Sequence, residues 1–129
     1  SDHAPHTRAE KAKTYPESPS GMTGVQTILP LMLHHAVEGR LSVERVVQMI
    51  AQNPARIFQI KNKGEIKVGY DADLTLVDLK ANHRIQNSWI QSTCGWTPYD
   101  GMTFKAQVKC TIMAGQVVMR DNEVIGKPS

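Results

Sequence analysis

The order of apolar and polar positions divides the chain into a helical first half and a β-rich second half. From residue 24 to residue 38 the apolar side chains recur at the three- and four-residue spacing of one helix face, which predicts a helix. Pro30 falls inside this run and should kink the helix or restart it there, because proline lacks a backbone N–H. Gly39 is predicted to end the helix.

A second helix is predicted to begin after Ser42, whose hydroxyl can cap the free N–H groups of a first turn. Glu44 is favourably placed in that turn, where the helix dipole stabilises negative charge. The apolar side chains expected on the buried face are Val46, Val47 and Ile50. Asn53-Pro54 then predicts a fresh cap followed by proline at the first helical position, which opens a short helical turn.

The spacing of the apolar residues changes from helical to strand-like after residue 60, and the first 23 residues show no regular spacing. Residues 64–69 alternate like a short strand, residues 70–73 predict a turn, and residues 74–78 predict a strand with β-branched side chains. Residues 1–23 are rich in proline, serine, histidine, glycine and charge, so they predict a long irregular loop. Loops of that length in compact domains are usually functional or disordered.

Hairpin signals follow near the end of the chain. Two apolar, β-prone runs at residues 107–113 and 116–120 are joined by Ala114-Gly115, which predicts a β-hairpin. Asp121-Asn122 predicts a further turn. The second half is therefore expected to be an antiparallel β structure.

Composition and charge exclude several classes of protein. The 129 residues are 40% hydrophobic and 21% charged, as in one modest soluble domain. The net charge is +3, but the basic residues are scattered, so neither a nucleic-acid partner nor a membrane partner is predicted. The longest apolar run, around residues 25–33, is too short to span a bilayer. Cys94 and Cys110 form no CxxC motif, which fits the reducing cytoplasm.

The sharpest chemical feature is a carboxylate and two imidazoles within five positions, Asp2-His3-Ala4-Pro5-His6. These groups suit zinc and similar divalent ions. Asp2 could accept the proton of an attacking water, and His6 could reach a substrate carboxylate or a developing oxyanion. The alternative is that Asp2 and His3 are solvated terminal residues and His6 a loop histidine. Spacing alone leaves both interpretations open.

Residues 1–7, with Glu10-Lys11 and residues 18–24, closely resemble the dihydroorotases of the amidohydrolase superfamily. The resemblance continues along nearly the whole chain, through residues 53–58, 64–66, 69–74 and 94–99. The turn at residues 69–74 is widespread in amidohydrolases, so it is typical of the superfamily. The Asp-His-Ala-Pro-His stretch is specific to dihydroorotases.

The resemblance implies roles for four residues. Asp2 matches the aspartate that binds the metal and serves as general base or acid. His6 matches the histidine that binds the substrate carboxylate. Ser20 and Gly21 match loop positions whose backbone contacts the pyrimidine ring. No family role is carried over to His3, for which a supporting or structural role is expected.

The fold implied is α/β: the C-terminal fragment of a (β/α)8 TIM-barrel amidohydrolase with part of its small β-sandwich domain. Residues 1–60 would form the end of the barrel, comprising the end of strand eight, the active-site loop and the last helices. Residues 61–129 would form the C-terminal part of the composite β domain. Four apolar side chains would then face barrel strands outside this sequence, namely Leu29, Leu33, Val47 and Ile50.

The implied activity is metal-dependent hydrolysis of a cyclic amide, the interconversion of dihydroorotate and N-carbamoyl-aspartate in pyrimidine biosynthesis, in the cytoplasm. The implied cofactor is zinc, as one or two ions. The family's metal centre needs a His-x-His pair and further histidines, and no His-x-His occurs in this sequence. Asp2 is the sole matching ligand, so the other ligands are expected outside this chain. The fragment alone is therefore expected to be inactive.

Two other functions stay open from the sequence. An allantoinase or hydantoinase would use the same scaffold and metal on a small-molecule substrate that lacks the carboxylate assigned to His6. A catalytically silent homologue would act as a structural or regulatory partner, for instance of a transcarbamoylase, or within a homo-oligomer. The retained Asp2 and His6 favour an active enzyme.

The remaining candidates are interpreted as structural. His34 and His35 are adjacent on the first helix and cannot easily share a metal, so a helix-surface or capping role is favoured. The aromatic side chains could form a binding surface, but packing of irregular segments is the favoured interpretation; they are Trp89, Trp96, Tyr99 and Phe104.

Overall fold

The structure is a computed structural model that describes residues 1–126 of the chain. The helices are α1 (Arg8–Lys11), α2 (Ile28–Val37), α3 (Val43–Val47) and α4 (Asn53–Ile57), with a π-helical turn at Gln48–Gln52. The strands are β1 (Leu74–Arg84), β2 (Thr103–Met113), β3 (Gln116–Arg120) and β4 (Glu123–Val124), and a short 3-10 helix at Asn87–Trp89 precedes β2. The predicted order of helices followed by strands is confirmed. The last three residues of the predicted β region lie outside the described residues.

Helix α2 begins later than the predicted residue 24. Gly24 instead opens a turn, in which its carbonyl accepts the N–H groups of Thr27 at 3.2 Å and Ile28 at 2.9 Å. Pro30 therefore falls in the first turn of the helix, where its missing N–H removes no helical hydrogen bond, and the predicted kink or restart was wrong. Gly39 ends the helix as predicted, with φ of +75°.

Helix α3 begins as predicted at Ser42, whose hydroxyl accepts the backbone N–H of Arg45 at 3.1 Å. Val46 is buried and Ile50 is half-buried beside it, also as predicted. Val47 is 43% exposed, so its predicted burial within this chain was wrong, and it stays one of the side chains expected to face strands outside this sequence. Val46 is the one buried residue of α3, and it forms part of the core.

The predicted cap at Asn53 was also wrong. Its backbone is helical, with φ of −64° and ψ of −45°, because the chain stays helical through the wide turn at Gln48–Gln52. The side-chain oxygen of Asn53 accepts a guanidinium N–H of Arg56 at 3.3 Å instead. Pro54 still lies in the first turn of α4, where proline is tolerated.

The four strands form one antiparallel sheet in the order β1-β2-β3-β4. The predicted hairpin is confirmed, and both of its turn residues have left-handed backbones, with φ of +49° at Ala114 and +79° at Gly115. The turn before β4 repeats this conformation at Asp121 and Asn122, with φ of +47° and +71°. Two successive left-handed turns therefore build this edge of the sheet.

The strand predicted at residues 64–69 is absent, and the segment forms bends and turns. Its apolar side chains Ile66 and Val68 are 92% and 101% exposed. Alternation produces a strand only where a neighbouring strand offers hydrogen bonds, and the described residues place none beside this segment. Strand β1, by contrast, continues beyond the predicted end at residue 78 as far as Arg84.

The helices and the sheet share a core of Leu33 from α2, Val46 from α3 and Ala106 from β2. Leu33 was expected to face strands outside the sequence, but it is 3% exposed within this chain. Leu29 and Ile50 pack partly buried against the same core. Helix α2 therefore lies on β2, and this contact positions the loop that precedes it.

His34 joins α2 to the sheet. Its ring stacks on Phe104 with 5.4 Å between centroids, and its Nδ1 accepts the backbone N–H of Lys105 at 3.1 Å. The predicted helix-surface role was wrong for His34, whereas the neighbouring His35 bonds Arg40 near the helix end.

No helix within residues 1–126 is long and apolar enough to cross a membrane.

Candidate active site

Two loop segments lie side by side and carry all the residues predicted for the site. The backbone N–H of Ala4 donates to the carbonyl of Met22 at 2.9 Å, and a parallel β-bridge pairs Met22 with His3. Gly21 has φ of +92° and lies directly against Ala4. The structure thus brings residues 2–6 alongside residues 20–24, and these segments contain Asp2, His6, Ser20 and Gly21.

His3 fastens one segment to the other. Its Nδ1 accepts the backbone N–H of Gly24 at 3.2 Å and that of Val25 at 3.4 Å. A ring nitrogen that accepts hydrogen bonds carries no proton, so the proton of the neutral ring is assigned to Nε2. The structural role expected for His3 is the one its contacts show.

Asp2 is exposed at the edge of this loop pair. Its φ is +46°, in the left-handed region that aspartate and asparagine enter more readily than most residues. The ion pairs found within the described part of the chain do not involve its carboxylate. The carboxylate is therefore open to a ligand from solvent.

His6 is half-buried, and its main chain is tied to a distant segment. The indole N–H of Trp96 donates to the carbonyl of His6 at 2.7 Å. The carbonyl of the same tryptophan accepts the hydroxyl of Thr23 at 2.8 Å. Trp96 therefore bonds both of the loop segments that make up the candidate site.

The short helix α1 follows His6 directly. Thr7 caps it through a capping box, in which the Thr7 hydroxyl accepts the N–H of Glu10 and the Glu10 carboxylate accepts the N–H of Thr7 at 2.6 Å. That backbone bond, with the threonine hydroxyl, lowers the pKa of Glu10. Arg8 extends from the helix to the carbonyl of Gly95 at 3.1 Å. The helix thus fixes the main chain where it leaves the segment at residues 2–6.

Lys11 organises the loop that contains Ser20 and Gly21. Its ammonium donates to the carbonyl of Pro19 at 2.6 Å and to that of Gly21 at 3.1 Å. The hydroxyl of Ser18 donates back to the carbonyl of Lys11 at 3.2 Å. Ser20 is left exposed beside this bonded stretch.

The sequence did not predict the roles of Trp96, Thr23 and Lys11. Packing of an irregular segment was the expectation for Trp96, and its hydrogen bond to a carbonyl 90 residues away has no local signature. Lys11 belongs to the residues that resemble dihydroorotases, but the resemblance assigns it no role. The sequence gives no signal for Thr23 either, because its burial, with 3% exposed, is known only from the structure.

The described residues do not form a complete metal centre. Among residues 1–126, no three histidine, cysteine, aspartate or glutamate side chains are grouped so that they could hold an ion. Zinc sites in enzymes use three protein ligands and an open position. Asp2 alone matches the predicted ligand set, so the described residues do not make up a metal site.

A cavity of about 620 Å³ lies behind the loop pair, between α2 and the sheet. His3 and Thr23 line it, but Asp2 and His6 do not. His83, from β1, lines the cavity on the side of the sheet. Burial lowers the pKa of this histidine and so favours the neutral ring, which packs edge-on against Trp89. The cavity is therefore separate from the candidate catalytic groups.

The chain belongs to the amidohydrolase family, whose profile matches residues 1–118. Among its relatives are dihydroorotases. The Pyrococcus abyssi protein is 43% identical over 128 residues, which is 99% of this chain and 30% of the relative. The Halobacterium salinarum protein is 51% identical over 100 residues, 78% of this chain and 24% of the relative. The predicted resemblance is therefore confirmed.

The fold also matches solved amidohydrolase structures. L-hydantoinase (dihydropyrimidinase) from Arthrobacter aurescens superposes with a TM-score of 0.81 and 35% identity, over 86% of this chain and 25% of that protein. The chain spans about 30% of the length of the Pyrococcus relative, so it corresponds to a part of such an enzyme.

Proposed function

We propose that the complete protein is a dihydroorotase and that this chain supplies the part of its active site that contains Asp2 and His6. The observation that carries the proposal is the pairing of residues 2–6 with residues 20–24, which leaves the Asp2 carboxylate exposed at the loop edge. The 43% identity to the Pyrococcus abyssi dihydroorotase over 99% of the chain supports it. The proposed reaction interconverts dihydroorotate and N-carbamoyl-aspartate, a step of pyrimidine biosynthesis.

The proposal includes a placement of the chain in the larger fold. Residues 1–60 would close a (β/α)8 TIM barrel, and residues 61–129 would belong to its small β-sandwich domain. The change from helices to an antiparallel sheet, between α4 and β1, supports this division. Cys94 and Cys110 are both free and buried, which suits the proposed cytoplasmic location.

Asp2 is the proposed proton carrier. Its carboxylate takes the proton of the water that attacks the ring amide carbonyl, and returns this proton to the ring nitrogen as the C–N bond breaks. The left-handed backbone at Asp2 and the Ala4–Met22 hydrogen bond two residues later set the main chain from which that carboxylate extends.

His6, Ser20 and Gly21 are the proposed substrate-binding residues. The His6 imidazole would bind the substrate carboxylate, which lies away from the bond that breaks. Backbone groups at Ser20 and Gly21 would hold the ring. The Gly21 carbonyl already accepts from Lys11 at 3.1 Å, and its second lone pair stays available for a ring N–H.

Zinc, as one or two ions, is the proposed cofactor, with Asp2 as the one ligand from this chain. A bound zinc ion polarises a carbonyl and makes hydroxide available near neutral pH. The other ligands would come from outside this chain, since residues 1–126 contain no group of three candidate ligands. The chain by itself is therefore expected to be inactive.

Substitutions in the complete protein test these roles. Asp2→Asn should lower kcat for dihydroorotate by roughly 100- to 10,000-fold, the range attributed to general acid–base groups. Asp121→Asn is the matched control, because Asp121 is exposed in the turn between β3 and β4. His6→Ala should raise KM with a smaller change in kcat, and His35→Ala on α2 is its control. Near-normal turnover by the Asp2→Asn protein would contradict the mechanism.

A hydantoinase is the second candidate function. The structural match to the Arthrobacter aurescens L-hydantoinase at 35% identity favours it. Turnover of dihydroorotate, hydantoin and allantoin by the complete protein, measured side by side, separates the candidates. A dihydroorotase should lose binding of its carboxylate-bearing substrate on His6→Ala. A hydantoinase should turn over hydantoin and be little affected by that change.

A further inference from the structure

We propose that Trp96 is a positioning residue for the site, which fixes the main chain at His6 and thereby the direction of the histidine side chain. The inference rests on the proposed function, because it assigns the consequence to substrate binding by His6. The indole N–H of Trp96 lies 2.7 Å from the His6 carbonyl oxygen. Its own carbonyl oxygen lies 2.8 Å from the Thr23 hydroxyl.

Trp96 can act as a fixed point because its own segment is anchored on both sides. On one side, Cys94 is 8% exposed. On the other, Thr97 is 5% exposed and its backbone N–H donates to the side-chain oxygen of Asn87 at 2.9 Å. The Arg8 guanidinium bonds the Gly95 carbonyl as well, and this joins the segment to the chain that follows His6. The indole therefore presents its N–H from a rigid support.

The anchors of Asp2 and His6 are different. Near Asp2 the chain is held by the Ala4–Met22 hydrogen bond and by the His3 ring, and the indole N–H of Trp96 takes part in neither. At His6 itself the hydrogen bond to a distant segment is the one from the indole N–H, and the chain is tied again two residues later, where Arg8 bonds the Gly95 carbonyl. Loss of this N–H should therefore displace His6 and leave the carboxylate of Asp2 in place. Removal of a contact to a remote substrate group raises KM without lowering kcat.

Trp96→Phe in the complete protein tests the proposal, because it keeps an aromatic ring and removes the N–H. We expect KM for dihydroorotate to rise roughly 3- to 10-fold, the effect of losing one neutral hydrogen bond, with kcat within about twofold. Trp89→Phe is the matched control. Its indole N–H bonds the Asn122 side chain at 3.2 Å and neither of the two loop segments, so its loss should leave KM unchanged.

Amide hydrogen exchange provides a second measurement that does not depend on activity. The His6 N–H bonds the Ala4 carbonyl at 2.9 Å, so its exchange reports whether this part of the loop is fixed. Trp96→Phe should speed exchange at His6 by roughly 3- to 10-fold and leave Ala4 unchanged. Thr23→Val removes the other hydrogen bond to Trp96 at nearly constant volume and should produce a smaller change of the same kind.

The outcomes separate this inference from the proposed function. If both variants match Trp89→Phe in KM and in His6 exchange, Trp96 does not position His6 and the inference is overturned. A lower kcat at unchanged KM also overturns it. If Trp96→Phe does not fold, Thr23→Val decides in the same way. If the wild-type protein does not turn over dihydroorotate, the proposed function fails, and amide exchange alone decides whether Trp96 holds His6.

Discussion

Gly21 lies so close to Ala4 that a Cβ atom at position 21 would come within 2.6 Å of the Ala4 Cβ atom. The φ of Gly21 is +92°, which other residues rarely adopt. Both constraints act at the point where residues 20–24 meet residues 2–6. The approach of the two segments therefore requires glycine at this position.

Gly21→Ala should lower the free energy of unfolding by roughly 2–4 kcal/mol, which combines backbone strain with the clash at Ala4. Gly39→Ala is the control, because Gly39 has φ of +75° and no atom within 4 Å of an added Cβ. It should cost only the strain, about 1–2 kcal/mol. Urea unfolding measures both. Equal losses for the two variants would show that the clash with Ala4 adds nothing to the loss of stability.

His3→Ala should destabilise the protein by roughly 1–3 kcal/mol, because it leaves the Gly24 N–H without its acceptor. His3→Asn should recover much of this loss, since the asparagine side-chain oxygen can take the place of Nδ1. Thermal unfolding of the two variants beside the wild type is the measurement. If the asparagine variant is no more stable than the alanine variant, the acceptor at Nδ1 is not what holds the loop.

Asp73 should make stability depend on pH in the acid range. Its hydrogen bond with the Lys63 ammonium, and then that with the Ala114 backbone N–H at 2.8 Å, lower its pKa below the ordinary value of 3.8. A carboxylate whose pKa is lowered by folding stabilises the protein above its unfolded pKa. This stabilisation is lost as the pH falls through the lower pKa of the folded state.

Asp73→Asn tests this dependence, because asparagine can still accept from Ala114 but does not ionise. The variant should be less stable than the wild type at neutral pH, and the difference should shrink as the pH falls below 3.8. Denaturant unfolding at a series of pH values measures it. A difference that stays constant over this range would contradict a role for the ionised carboxylate.

Ala114→Asn should stabilise the protein by roughly 0.5–1 kcal/mol. Ala114 has φ of +49°, and asparagine followed by glycine is the preferred pair in this type of hairpin turn. The measurement is the midpoint of thermal unfolding. Ala72→Asn, before β1, provides the control outside the left-handed turn. A loss of stability on Ala114→Asn would mean that the Ala114 methyl group makes a contact that matters more than the backbone.

The sequence predicted the elements whose determinants are local. Ser42 caps α3 through an atom three residues away, and the turn at Ala114-Gly115 requires only its own two backbones. The family resemblance likewise identified Asp2 and His6 as site candidates, and their segments do lie with residues 20–24. Their roles in catalysis and binding stay predictions.

The errors concern features that depend on distant neighbours. Ile66 and Val68 alternate with polar residues as a strand requires, but they are 92% and 101% exposed because the described residues offer them no partner strand. Asparagine is a residue type favoured at helix N-caps, but the π-helical turn at Gln48–Gln52 continues the helix through Asn53. Trp96 reaches His6 across 90 residues, and no pattern within a short window contains that information.

The contacts made by Trp96 also bear on the order in which the molecule folds. They close loops of 73 and 90 residues, whereas the capping box of α1 closes over three. Closing a long loop costs chain entropy before the contact repays it, so such contacts form late. Helix α1 can therefore form early, while His6 reaches its final position only after residues 94–97 have been fixed, in part by the bond from Thr97 to Asn87. Acquisition of substrate binding should accordingly lag behind the appearance of secondary structure during refolding.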